Sequence, residues 1–172
     1  MLQQPYDCGI FLSRHLTTGT NTFQNPNAVY ISSNDNSIPS PLNTGIENSR
    51  RFRALPVYAN FVAYGLNGYK EMLERQIRLA RGIFRYVSNS TKYEVLPEGM
   101  AEDSVYIIVI FRAKEDDLNR SLVEKINGTR KIYVSGTQWG GRPAARFAVA
   151  NWMVNVERDL ALVTQILESI AP

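Results

Sequence analysis

The spacing of apolar positions divides this chain into three stretches of different character. A short apolar run, Ile10 to Leu12, follows Asp7-Cys8-Gly9 and predicts a buried strand. From Thr17 to Asn48 the sequence turns to Thr, Asn, Ser and Pro, almost without charge, and predicts a loop of roughly 30 residues, far beyond the usual ~12–15. Within it, Ala28-Val29-Tyr30-Ile31 is the apolar island. Helical spacing begins near Ser49, a good N-cap, and runs to Tyr64. Pro56 has no N–H to give to the helix, so it predicts a kink or a helix proper that starts near it. Gly65 is placed to close the segment as a left-handed cap. Asn67 can then cap a second helix, Gly68 to Val87, whose apolar stripe is Met72, Leu73, Ile77, Ala80, Ile83 and Phe84. Glu71 with Arg75 and Glu74 with Arg78 predict i,i+4 pairs on its wet face, about 0.2–0.5 kcal/mol each.

The remainder alternates strand and helix. Strands are predicted at Tyr93–Leu96, Ser104–Phe111, Lys131–Ser135 and Ala145–Ala150. One helix is predicted over Asp116–Asn127, ended by Gly128, and another from an Asn155 cap to Ile170. The order ββαββα over 92–172 implies a small sheet with helices on one side, an α+β layer.

Composition narrows the class. The chain has 172 residues, 44% apolar, enough for one ordinary core. A net charge of +3, interspersed, permits an acidic partner without requiring one. Cys8, the single cysteine, excludes an intrachain disulfide or cysteine-based zinc framework and favours a reducing compartment. No apolar run reaches the ~18 residues of a membrane span, and Met1-Leu2-Gln3-Gln4-Pro5 has no signal-peptide pattern. The expectation is a cytoplasmic protein with no membrane partner. The small sheet has no aromatic RNP-like strand with basic neighbours, so no nucleic acid is expected.

A self-contained catalytic site is not visible. His15, the one histidine, reads as a polar residue at a strand end, and Cys8 as a buried, inert thiol. Asp116-Asp117 reads as an acidic first helical turn, Gly140-Gly141 as a turn, and Trp139 and Trp152 as core or rim aromatics. Two features carry more. Tyr30 on a long loop either donates a proton after loop closure or anchors the loop by packing. Arg50, Arg51 and Arg53 at a helix start oppose the helix dipole, which either an anionic ligand or carboxylates elsewhere would relieve.

Three stretches resemble the group II pyridoxal-phosphate (PLP) dependent amino-acid decarboxylases, which act on aromatic amino acids, histidine, glutamate or diaminobutyrate. Met1 to Cys8 is similar to the segment directly after that family's His-Lys pair. Ser49-Arg50-Arg51-Phe52-Arg53-Ala54-Leu55, followed by Tyr64-Gly65 and Gly68, is similar to its Arg-Arg-Phe motif and Tyr-Gly helix break. Arg146-Phe147-Ala148-Val149 with a final helix is similar to its last strand and helix.

The resemblance implies an α/β fold of the aspartate-aminotransferase type. Residues 1–66 would form the end of the large PLP domain, with an active-site loop at 17–48. Residues 67–91 would form a linking helix, and 92–172 the small C-terminal α+β domain. It implies decarboxylation of an amino acid to an amine and CO2. Tyr30 would protonate the carbon that lost CO2, Ser49, Arg50 and Tyr6 would lie on the substrate side, and the active form would be a homodimer. The lysine that binds PLP, the aspartate facing its ring nitrogen and the phosphate cradle fall outside the matching segments. Lys70, Lys92, Lys114, Lys125 and Lys131 do not occupy the lysine's motif, and Pro56 replaces a helix former. The expectation is a truncated decarboxylase that does not bind PLP or turn over by itself. The alternative is a non-catalytic module that pairs, as a heterodimer, with a full-length paralogue or split-enzyme partner.

Overall fold

A computed structural model describes residues 8–23, 43, 45–47 and 49–171. The chain divides into two compact units, one ending at Asn60 and the other starting at Phe61.

In the first unit, the expected strand at Ile10–Leu12 is not formed. These residues are irregular and exposed, Phe11 by 91%. Three apolar residues make a strand only if a neighbouring strand accepts them, and none lies beside them among the described residues. Cys8 is half-buried rather than buried. His15 does not end a strand; it precedes helix α1, Leu16–Phe23, where its N–H donates to Ser13 Oγ (3.1 Å). Helix α1 occupies the start of the expected loop. Tyr6, the Ala28–Ile31 island with Tyr30, and most of the expected 17–48 loop lie outside the described residues.

Helix α2 is assigned over Ala54–Ser88 and joins two helical stretches across Gly65. It starts at Ala54, so Ser49 is an exposed bend residue and not its N-cap, and Pro56 sits in the first turn, where a missing N–H is harmless. Gly65 does break the helix, but at φ 60°, ψ −175°. This is not the left-handed helical cap but the extended positive-φ region, which only glycine populates readily.

The second unit holds a four-stranded antiparallel sheet of β1 (Tyr93–Leu96), β2 (Ile108–Ala113), β3 (Ser135–Trp139) and β4 (Arg142–Ala148), in the order β1-β2-β4-β3. Helices α3 (Asp116–Gly128) and α4 (Val156–Ile170) complete it. Strand alternation places Tyr93, Val95, Val109, Phe111, Ala113, Ala145 and Phe147 on one face. All seven join the core, with Leu79, Ile83 and Val87 of α2, Leu118, Leu122 and Ile126 of α3, and Val163, Ile166 and Leu167 of α4. The helices therefore cover one side of the sheet, as expected. Phe111 stacks on Phe147 at 5.1 Å and meets Tyr93 edge-on at 6.0 Å. On the opposite face Arg112 pairs with its cross-strand neighbour Glu94.

Side-chain amides and guanidinium groups, not strand propensity, decide where the strands begin. Arg81 of α2 donates to the carbonyls of Asp103 (2.8 Å) and Val105 (3.2 Å). Glu102–Ser104 consequently forms a 3-10 turn, and β2 runs from Ile108 to Ala113 instead of from Ser104. Asn127 brackets Val134, donating to its carbonyl (3.0 Å) and accepting from its N–H (2.8 Å). This holds the expected 131–135 strand against the end of α3, and β3 starts only at Ser135. Gly140 and Gly141 both take positive φ (58° and 76°), which is the two-residue hairpin geometry, and β4 starts directly after them at Arg142. Helix α3 runs through Gly128, and the left-handed residue beyond it is Arg130 (φ 55°).

Asn119 plays a similar part between β2 and β4. The β2–β4 register, continued by two residues, sets Ala113 opposite Pro143, which has no N–H to give. Asn119 Oδ1 accepts from the Ala113 N–H (3.2 Å) and Nδ2 donates to the Pro143 carbonyl (2.9 Å), so its amide fills the place of the missing rung.

The end of α4 is also tied by side chains. Leu167 is among the last residues of the helix, whose carbonyls lack helical partners. Tyr93 OH donates to the Leu167 carbonyl (2.8 Å), and Lys92 Nζ to that of Ala171. At the start of α4, Asn155 caps as expected: its Oδ1 accepts from Arg158 N–H (3.0 Å) while Asp159 Oδ2 accepts from Asn155 N–H (3.0 Å).

Candidate functional site

Of the four residues singled out from sequence, Ser49 and Arg50 fall within the described residues. Both are exposed and lie in the irregular segment that leads into α2. The arginines precede the helix instead of occupying its first turn, which reduces their conflict with its dipole. Arg53 pairs with Glu47 (Nη1–Oε2 3.0 Å), so for Arg53 the neutralising group is a carboxylate of the same unit. Arg50 lies close against Gly45: a Cβ at Gly45 would stand 3.2 Å from Arg50 Nη1. Glycine at 45 thus leaves the guanidinium its room. The chemistry available here is that of a planar cation able to take a carboxylate through two parallel hydrogen bonds.

The described lysines are engaged in other bonds or exposed. Lys92 and Lys114 spend their ammonium groups on the carbonyls of Ala171 and Ser90, the latter at 3.0 Å. Lys70 faces Glu74 on the helix surface at 3.8 Å, and Lys125 and Lys131 are exposed. None stands in an enclosed site where an imine could be kept from water, which the cofactor's chemistry requires. Among the described residues no group of three His, Cys, Asp or Glu side chains could hold a metal ion.

Sequence reasoning passed over one concavity. An open groove of about 700 Å³ in the second unit is lined by Arg85, Tyr86 and Lys92, with Leu160 and Glu168 from α4. Burial, and then the charge of Glu168, push the Tyr86 phenol above its ordinary pKa. Tyr86 and Glu168 are far apart in sequence, so no local pattern announces the groove. Trp139 and Trp152, expected in the core or at its rim, are exposed by 42% and 52%. The wet face of α2 carries Lys70–Glu74, and Arg75 turns to the Trp152 carbonyl (3.4 Å) in place of Glu71. No helix among the described residues is long and apolar enough to cross a membrane.

The fold is that of PLP-dependent decarboxylases of the aspartate-aminotransferase type. The chain superimposes on Oryza sativa TDC solved with PLP and tryptamine at TM-score 0.59 and 25% identity, over 70% of this chain and 27% of that one. Rhodiola rosea 4-hydroxyphenylacetaldehyde synthase gives 0.63 over 74% of this chain and 28% of that one; at 21% identity it speaks for the fold alone. The sequence agrees. An aromatic-L-amino-acid decarboxylase of Bacillus atrophaeus is 27% identical over 177 residues, covering 96% of this chain and 36% of that protein. The enzyme of the same name from Sus scrofa is 31% identical over 103 residues, covering 59% of this chain and 20% of that protein. No family model matches. The chain's sequence relatives are thus aromatic-L-amino-acid and tyrosine decarboxylases, and its structural neighbours are PLP decarboxylases. It spans about a third or less of the length of these curated relatives.

Proposed function

We propose that this chain supplies the C-terminal portion of a PLP-dependent carboxy-lyase that converts an aromatic amino acid into its amine and CO2. The observation that carries this is the run of aromatic-amino-acid decarboxylases among its sequence relatives, one of them matched over 96% of the chain. In this reading residues 1–66 end the large domain, 67–91 link, and 92–172 form the small domain. Arg50 holds the substrate on its carboxylate side, and Ser49 and Tyr6 shape the pocket. The Tyr30 hydroxyl delivers the proton to the carbon from which CO2 has left. The cofactor lysine comes from a polypeptide with the His-Lys motif, whether it precedes these residues on one chain or is a separate, paralogous subunit. The 172 residues by themselves are catalytically silent.

The test is CO2 release from L-tryptophan and L-tyrosine with added PLP, by the 172 residues alone and together with the lysine-bearing polypeptide. No turnover alone and turnover together are expected, with Tyr30→Phe lowering kcat by about 10²–10⁴-fold. Turnover by the 172 residues alone refutes the silent, truncated reading. No turnover by the combination refutes the carboxy-lyase, and leaves the second reading, a non-catalytic dimerisation module for a paralogue. The exposed apolar start of α2 is what favours that second reading.

A further inference from the structure

Two helices end together in the second unit and leave a groove along their last turns. Gly82 of α2 lies against Leu160 of α4: a Cβ at Gly82 would stand 2.9 Å from Leu160 Cδ2, so glycine is what lets the helices approach. Past the end of α2, Tyr93 OH and Lys92 Nζ reach the carbonyls of Leu167 and Ala171 at the end of α4. The two helices therefore run side by side in one direction, and the negative ends of their dipoles meet. The groove there, about 700 Å³, has the size of a small-molecule site, about 300–1,000 Å³, and exceeds what a bare ion fills.

The charges that line it are only partly spent. Arg85 gives Nε to Glu102 (3.5 Å), which leaves the two terminal amino groups of its guanidinium for a further acceptor. Lys92 uses one of its three ammonium donors on the Ala171 carbonyl. Glu168 is exposed and has no hydrogen-bond or ion-pair partner among the described residues. Burial, and then the Glu168 charge, raise the Tyr86 pKa, which sets the carboxylate near the phenol. Spare cationic donors and a spare carboxylate in one groove are the complement of a zwitterion, and Leu160 with the Tyr86 ring adds an apolar wall. We propose that this groove binds a free α-amino acid, its carboxylate toward Arg85 and Lys92, its ammonium on Glu168 and its side chain along Leu160 and Tyr86. The helix ends favour the ammonium, and α4 has no basic residue in its last turn to compete for that place. An amine without a carboxylate would meet two cations, and a carboxylate without an amine would meet Glu168. The site shares no residue with Tyr6, Tyr30, Ser49 and Arg50. An aromatic side chain as its preferred occupant rests on the carboxy-lyase reading; the zwitterion rests on the groove alone.

The test is an amide NMR titration of the 172-residue protein with L-phenylalanine, phenethylamine and 3-phenylpropanoate in turn. L-Phenylalanine should shift the amides of Gly82, Tyr86 and Glu168, and each single-charge analogue should bind at least about tenfold more weakly. Glu168→Gln should weaken L-phenylalanine about tenfold while 3-phenylpropanoate binds as tightly as before or tighter. Arg85→Gln should weaken L-phenylalanine and leave phenethylamine unchanged. Both substitutions are at exposed positions, and the same spectra report whether each variant is folded. No shift at these amides up to about 10 mM ligand, shifts confined to other residues, or either analogue binding as tightly as L-phenylalanine overturns the assignment. CO2 release by the combination with the lysine-bearing polypeptide is measured separately. Its absence refutes the carboxy-lyase and leaves a bound amino acid standing, whereas turnover without these shifts refutes the groove alone.

Discussion

Replacing Asn119 by alanine tests how the small sheet is held at its weakest rung. The change removes two hydrogen bonds, from the Ala113 N–H and to the Pro143 carbonyl. Ala113 is fully buried, so its N–H is left without water or protein, at about 1–3 kcal/mol. Pro143 is exposed, so its carbonyl regains water and the loss there is that of an ordinary hydrogen bond, about 0.5–1.5 kcal/mol. The sum, about 2–4 kcal/mol, amounts to about 5–15 °C in Tm for a chain of this size. Urea denaturation of the wild type and of Asn119→Ala measures it, and amide exchange at Ala113 localises it. Asn119→Asp keeps an acceptor for Ala113 but, when ionised, buries a carboxylate against the Pro143 carbonyl, so it should destabilise at least as much as Asn119→Ala. A midpoint for Asn119→Ala within about 0.5 kcal/mol of wild type, with Ala113 still protected, would refute the idea that this amide stands in for the missing rung.

Three further outcomes follow from the same geometry. Gly65→Ala meets no neighbouring atom within 4 Å, so its whole effect is backbone strain, about 1–3 kcal/mol by thermal unfolding, and no loss would contradict the φ of 60°. Tyr93→Phe frees the Leu167 carbonyl and should cost about 1–2 kcal/mol near neutral pH. Burial, with a lesser push from Tyr86, raises the Tyr93 pKa above its ordinary 10.0, so the folded state keeps a proton that the unfolded chain releases. Its contribution is therefore complete below about pH 10 and is lost as pH rises through the folded value. Titrating Tm from pH 9 to 11.5 should show a shallower fall in Tyr93→Phe than in wild type. Asn155→Ala should cost about 1 kcal/mol in α4, read by urea midpoint, and the wild-type cap should weaken in acid. Burial of Asp159 raises its pKa, but the hydrogen bonds from Arg158 and the Asn155 N–H outweigh it. The net pKa is lowered, so the cap's contribution is present above the usual carboxylate range and is lost as pH falls through the lowered value.

Local chemistry settled the outline. The apolar stripe of 68–87, the Gly140-Gly141 turn and the Asn155 cap each carry their own cause and stand where the sequence put them, and the β-branched run near Phe111 forms a strand with shifted ends. Ser49-Arg50-Arg51-Phe52 was legible as a motif through family resemblance, though its place in an irregular lead-in to α2 was not. What only the tertiary structure decided are the boundaries and the ties. Arg81 reaches the carbonyls of Asp103 and Val105 from 22 and 24 residues away, Asn127 grips Val134, and Asn119 bridges two strands. These bonds form only after the helices have docked, and no window of sequence contains both partners' environments. Ile10–Leu12 makes the opposite case: with no neighbouring strand among the described residues, strand propensity is not enough and the segment stays irregular. The sequence likewise determined that 54–64 is uncharged; that Leu55, Tyr58 and Val62 stand exposed is a fact of three dimensions.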